Sequence, residues 1–250
     1  MAQYAFGTGQ IYGLPVGGGA PLQFGALQDV SVDISADIKQ LYGQYQFPLA
    51  VARGKAKIEG KASTGEVNPD LYNTLYFGDT GATRSVGSKI PAFIELGSIP
   101  ASGAYTVTVA NSAHFVLDLG VRNAVTGAKF TQVESGPAAG EYSVAAGVYT
   151  FAAADAGSQV AINYIYTDST DGITLDLANA LMGVAPTFML VLTEEFDGKS
   201  FILVLYSCTS SKLTFPFKQD DFMISEFDFQ AQANDAGLIG YISASLVAPA

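Results

Sequence analysis

Histidine and cysteine, the side chains most often used for nucleophilic or metal chemistry, occur once each in this 250-residue chain, as His114 and Cys208. His114 lies between Ala113 and Phe115 with no Ser or Cys nucleophile motif beside it, so a structural or solvent-edge place is expected for it. Cys208 stands between Ser207 and Thr209, so neither a disulfide framework nor a zinc site is expected. The adjacent acids Glu194-Glu195 and Asp220-Asp221 are the right residue types for glycoside hydrolysis. Neighbours in a strand point to opposite faces, however, and cannot by themselves flank one sugar bond, so solvated hairpin ends are the reading. Asp168, Asp171 and Asp176 around Gly172 offer oxygen ligands for calcium, yet their spacing departs from an EF-hand loop and reads as an acidic turn. Gly7, Gly9 and Gly13 miss the dinucleotide fingerprint, since the third glycine falls one residue late and no βαβ unit surrounds them. The basic stripe Arg53, Lys55, Lys57 and Lys61 has the charge to touch phosphate, and in so acidic a chain is better read as candidate subunit-interface residues that pair with carboxylates of a neighbouring copy. These residue types predict a chain that is not an enzyme and needs no cofactor and no metal.

Composition narrows the function further. Hydrophobic residues make up 49% and charged residues 14%, which excludes a disordered chain and implies a surface poor in charge, much of it meeting other subunits. The formal charge of −11 repels phosphates, so sequence-specific DNA or RNA binding is not expected. The first nine residues show neither a basic n-region nor an apolar core, so no secretory signal is read there and the chain is expected to be made in the cytoplasm. Apolar runs such as Phe201 to Tyr206 fall far short of the ~20 residues of a membrane helix, and no membrane binding is expected.

The elements that must position these residues are predominantly strands. From Asp29 to Lys39, polar residues at every odd position alternate with Val30, Val32, Ile34, Ala36 and Ile38, which predicts a long half-buried strand. After Phe47-Pro48 a second alternation places Leu49, Val51, Arg53, Lys55, Lys57, Glu59 and Lys61 on one side and small residues on the other, so the two strands are expected to form a long hairpin. Asn68, Pro69, the apolar Leu71, Tyr72 and Leu75, and Gly78 mark one short helix. Thr187 to Phe196 and Lys199 to Tyr206 flank Asp197-Gly198, which predicts a type I′ hairpin with arms buried on both faces. A parity shift between Ile224 and Phe227 predicts a β-bulge, and Asn234 to Gly237 turns the chain into a final strand, Leu238 to Leu246.

The section from about Gly103 to Asp176 differs in composition, with basic residues only at Arg122 and Lys129. It is expected to be an inserted β module with strands at 105–109, 142–144, 148–151 and 160–166. The predicted organisation is a β core over 1–102 and 177–250, with 1–20 as a flexible arm, and the module over 103–176.

Two stretches carry a family resemblance. The run from Gly25 to Asp33 (GALQDVSVD), with Leu41 to Lys57 (LYGQYQFPLAVARGKAK), resembles the tail tube, or major tail, proteins of long-tailed, siphovirus-like bacteriophages. So do Leu181 to Phe188 (LMGVAPTF) and Cys208 to Ser243, which includes FPFKQDDF at 215–222. The likeness covers about residues 20–100 and 180–245. It implies an all-β fold with one short flanking helix, in which two antiparallel sheets pack as a sandwich or barrel. It also implies a virion protein whose hexameric rings stack into a hollow tube, with tape measure, tail terminator and tail-tip proteins as further partners. An acidic lumen would let genomic DNA pass without sticking, and Asp29, Asp33, Asp37 and Glu59 are the candidate lumen residues. The section 103–176 departs from a minimal tube subunit and is expected on the tube exterior. An Ig-like adhesin or surface-fibre subunit shares the β composition but usually carries a secretion signal and a disulfide. A β-sandwich carbohydrate-active enzyme needs convergent carboxylates and normally aromatic platforms, and this chain has no Trp.

Overall fold

The computed structural model describes residues 4–78, 84–177, 181–183 and 185–245. Parts of two expected features, the arm (1–3) and the end of the last strand (246), lie outside the described residues, as does residue 184 of the quoted motif. The chain is all-β with one short helix and antiparallel sheets, apart from one two-residue parallel pair. It divides into two compact units, residues 1–83 with 175–250 and residues 84–174.

In chain order the strands are β1 (Gln10–Pro15), β2 (Leu22–Gln23), β3 (Leu27–Tyr42), β4 (Pro48–Thr64), β5 (Arg84–Ser98), β6 (Thr106–Thr108), β7 (Phe115–Asn123), β8 (Thr131–Gln132), β9 (Glu141–Ala145), β10 (Val148–Phe151), β11 (Gln159–Leu175), β12 (Thr187–Phe196), β13 (Lys199–Thr214), β14 (Ser225–Gln232) and β15 (Gly240–Ser245). The helix α1 (Pro69–Tyr72) passes into a π-helical turn over Asn73–Phe77. Its start is as the sequence predicts. Pro69 opens it and the Asn68 side chain accepts the Leu71 N–H at 3.2 Å, supplying one of the partners that a helix start lacks.

The first unit is one eight-stranded sheet in the order β2-β1-β12-β13-β14-β4-β3, with β15 also paired to β13. Its core joins Ile11, Phe24, Leu71, Leu75, Phe188, Leu205, Phe227 and Phe229, and the Phe227 ring meets Phe24 edge-on at 5.5 Å. The expected flexible arm is corrected here. Residues 10–15 form β1, paired antiparallel with β12, and Ile11 is fully buried. Gly13 is required by this packing, because a Cβ there would lie 2.5 Å from Leu75 Cδ1. Asp197 and Gly198 both have positive φ, 52° and 65°, and join Phe196 to Lys199 as the predicted tight turn. Burial on both faces holds for β13 over Leu203–Leu205, whereas β12 alternates between buried Phe188 and Leu190 and half-buried neighbours. The parity shift before Phe227 is no bulge, since β14 begins at Ser225; the irregularity falls on β13, between Ser210 and Lys212.

Cys208 is fully buried in this core, and desolvation pushes its thiol pKa up to about 12. A thiol reagent at neutral pH should therefore leave the native chain unlabelled and react fully in denaturant; fast native labelling would contradict this packing.

The second unit holds two sheets, β6-β10-β9-β8 and β5-β11-β7. It starts at Arg84 rather than near residue 103, because β5 pairs with β11 of the same unit. The sequence reading also missed β7, whose run FVLDLGVRN breaks alternation with two register shifts against β11. Residues 168–172, expected as an acidic turn, lie within β11.

A polar network closes the core of this second unit. Tyr149 donates to Asp118 Oδ1 at 2.8 Å, Tyr142 donates to Oδ2, and Gly120 N–H adds a bond to Oδ1 at 3.1 Å. Burial, then the hydrogen bond to Asp118, raises both phenol pKa values far above their ordinary range. Below about pH 10 both phenols are protonated in the folded and unfolded chain alike, and the stabilisation is fully present. Above it the unfolded chain releases protons that the folded unit retains, so stability should fall with pH by at most about 1.4 kcal/mol per pH unit for each tyrosine. Chemical denaturation between pH 8 and 11 checks this. The Tyr142→Phe/Tyr149→Phe chain should start less stable and lose less stability over that span.

Candidate assembly surface

The predicted hairpin is β3 with β4, and only its base belongs to the core. β14 pairs with β4 over Ile58–Thr64 and stops there, while β3 accompanies β4 from Thr64 out to Pro48. Beyond that base the ribbon is exposed on both faces and carries large apolar groups, among them Tyr45 (72% exposed) and Phe47 (82%) at the tip.

Register assigns the two faces, because residues directly opposite in neighbouring strands share one. Asp29, Ser63 and Glu226 form one row, Ser31, Lys61 and Asp228 the next, and Asp33, Glu59 and Gln230 a third. All four candidate lumen acids, with Asp37 reached by the unbroken alternation of β3, therefore lie on one face, and Asp29, Asp33 and Asp37 are exposed. Glu226 and Asp228 of β14 add two carboxylates that the sequence reading did not select. Their alternation with Phe227 and Phe229 was visible, but only the pairing of β14 with β4 puts them on the same face as Glu59. Asp33 directly opposite Glu59 is a like-charge pair, which costs the isolated subunit stability.

The four candidate interface cations do not form one stripe. Ala36 faces Ala56 and Ile38 faces Arg53, so Asp37 alone stands opposite Gly54 and Lys55. The extra β4 residue is a bulge that reverses the parity of the strand beyond it. Arg53 consequently shares a face with Ile34 and Ile38, opposite to Lys57 and Lys61. The last two are engaged within the chain, Lys57 with Glu59 at 2.7 Å and Lys61 with Glu226 at 2.8 Å. The hydrogen bond to Glu59 raises the Lys57 pKa, and that between Lys61 and Glu226 raises the lysine and lowers the carboxyl.

Besides the outer edges of the end strands β2 and β3, two strand edges of this sheet are open among the described residues. Among the described residues, Pro48–Lys57 of β4 pairs with β3 alone, and β15 pairs with β13 alone. Between them lies an apolar groove of 290 Å³ lined by Ile34, Ile58, Leu203, Leu205, Tyr241 and Ile242.

The other sequence candidates are dispersed. His114 ends a short 3-10 turn and is exposed, Glu194-Glu195 close β12 beside the Asp197-Gly198 turn, and Asp221 pairs with Lys218 at 3.3 Å between β13 and β14. Asp168 is half-buried and accepts the Thr170 N–H at 2.9 Å. Among the described residues no three His, Cys, Asp or Glu side chains are placed to hold a metal ion, and none of the helices is long and apolar enough to cross a membrane. No protein family matches the sequence, and no curated protein matches it.

Proposed function

We propose that the chain is a structural virion protein, the tail tube subunit of a long-tailed bacteriophage, and that it builds stacked hexameric rings whose acidic bore passes DNA. The observation that carries this reading is the pair of open strand edges on one sheet, β4 beyond Lys57 and β15. Pairing the β4 edge of one copy with the β15 edge of the next is a head-to-tail contact, and such contacts close into rings when the rotation fits. A closed ring also removes edges that would otherwise recruit strands without limit. The exposed apolar ribbon supplies surface for such neighbours, and the acidic face of β3, β4 and β14 supplies a lining that repels phosphate. In this reading the tape measure, terminator and tip proteins meet the ends and bore of the assembled tube in the virion tail, and the chain performs no catalysis and carries no cofactor.

Electron microscopy of the concentrated, purified chain tests the proposal. Rings or tubes with six-fold averages are expected, whereas monomers at every concentration and salt would rule the tube out.

A further inference from the structure

The second unit carries an apolar surface that its own fold leaves uncovered. In the sheet β5-β11-β7 the inner face buries Val121, Val160, Ile162 and Tyr164. The outer face exposes Phe93 (67%), Ile94 (68%) and Leu96 on β5, with Val116, Leu117 and Leu119 on β7. Strict alternation would turn about half of these side chains inward. Three local departures prevent that. Ile94 has φ 58°, a conformation that β-branched residues rarely adopt, and its N–H is held by Asn163 Oδ1 at 2.8 Å. The register of β7 against β11 skips Leu119 and then Val116, leaving each as the extra residue of an irregularity. Strain and lost ladder bonds thus go to displaying apolar groups in water.

We propose that this face is an interface with the same face of a second copy of the chain. The charge pattern selects that occupant. Each copy carries −11, so two copies are repelled wherever carboxylates meet. Where β5, β11 and β7 run together, the carboxylates are Glu95 and Asp118, and both are turned inward, Glu95 to Tyr164 at 2.6 Å and Asp118 to Tyr149. Arg122 is the exposed charge on β7. A basic partner finds no acid on this face and an acidic chain meets no repulsion there. Two sheets laid face to face pack about 10 Å apart and interdigitate such side chains. The six groups present on the order of 500 Å² of apolar surface, a large part of the ~800 Å² each partner brings to a stable complex.

This inference does not rest on the tube reading, which uses a different sheet. Its test uses the full chain with Leu117→Cys, since Cys208 is buried and leaves the new thiol as the one a short bismaleimide can reach. The experiment is run with and without Lys57→Pro, which blocks the proposed ring contact. Covalent dimers are expected in both, and sedimentation of the Lys57→Pro chain should show a dimer weakened at least about tenfold by Leu117→Asp or by Leu96→Asp. Near-ultraviolet circular dichroism of the packed Tyr142, Tyr149 and Tyr164 rings verifies that the second unit of each variant is folded, since Cys208 reports on the first unit alone. A Lys57→Pro chain that stays monomeric and never cross-links overturns the proposal and leaves the face to a different protein. So does a dimer indifferent to the folded aspartate variants. Cross-linking without rings refutes only the tube, and rings without cross-linking refute only this interface.

Discussion

A chain carrying Lys57→Pro should remain folded and build no rings. Lys57 is exposed and lies one residue beyond the part of β4 that β14 covers, so the core around Phe227 and Phe229 does not depend on it. Proline removes a backbone donor and fixes φ, which disrupts a ladder that continues on both sides of a strand. A loss of about 1.4 kcal/mol weakens one contact tenfold, and a six-fold ring contains the contact six times. Micrographs and sedimentation read the outcome, with Lys57→Ala as the control that removes the ion pair to Glu59 but keeps the N–H. Proline at Ser31, opposite Lys61 in the core-backed part of the ribbon, should also block assembly but cost more stability. Normal tubes from Lys57→Pro would show that the open β4 edge is not the subunit contact.

The second large effect is expected from reversing the acidic face. Asp29→Lys, Asp33→Lys and Asp37→Lys each add two charges, taking the chain from −11 to −5. All three side chains are exposed, so the fold should hold, and Asp33→Lys also converts the like-charge pair with Glu59 into an attractive one. If the face lines the bore, six copies of each lysine surround the channel and tubes should retain DNA that wild-type tubes exclude. Retention should weaken steeply with salt, as counterion release requires. Co-sedimentation of short DNA with assembled tubes measures it. Intact tubes that still ignore DNA would place the face away from the channel, and failure to assemble would make it a subunit contact.

The parts of this protein legible in its sequence are those set by neighbouring residues. The alternation of Asp29 to Lys39, the Asn68-Pro69 helix start and the Asp197-Gly198 turn follow from side-chain period, capping and φ preference, and the structure contains each, except that the strand expected to be half-buried along its length leaves Ile34 and Ile38 exposed because no core backs it there. The acids of β3 were legible as one face for the same reason. The β4 cations were not, because the bulge opposite Asp37 belongs to the pairing and leaves no mark on β4 alone.

What only the tertiary structure decided is which distant segments pair. A glycine-rich start read as an arm becomes β1 because β12 offers it an edge and Leu75 needs the space above Gly13. Residues 84–98, which fell within the predicted core over 1–102, join the second unit because β11 is their partner. Glu226 and Asp228 reach the acidic face only through β4, and the open edges of β4 and β15 exist only because β14 ends where it does. Strand identity is a local property of the chain, whereas edges, faces and register depend on contacts between residues far apart in sequence, and these are settled only when the sheet closes on its core.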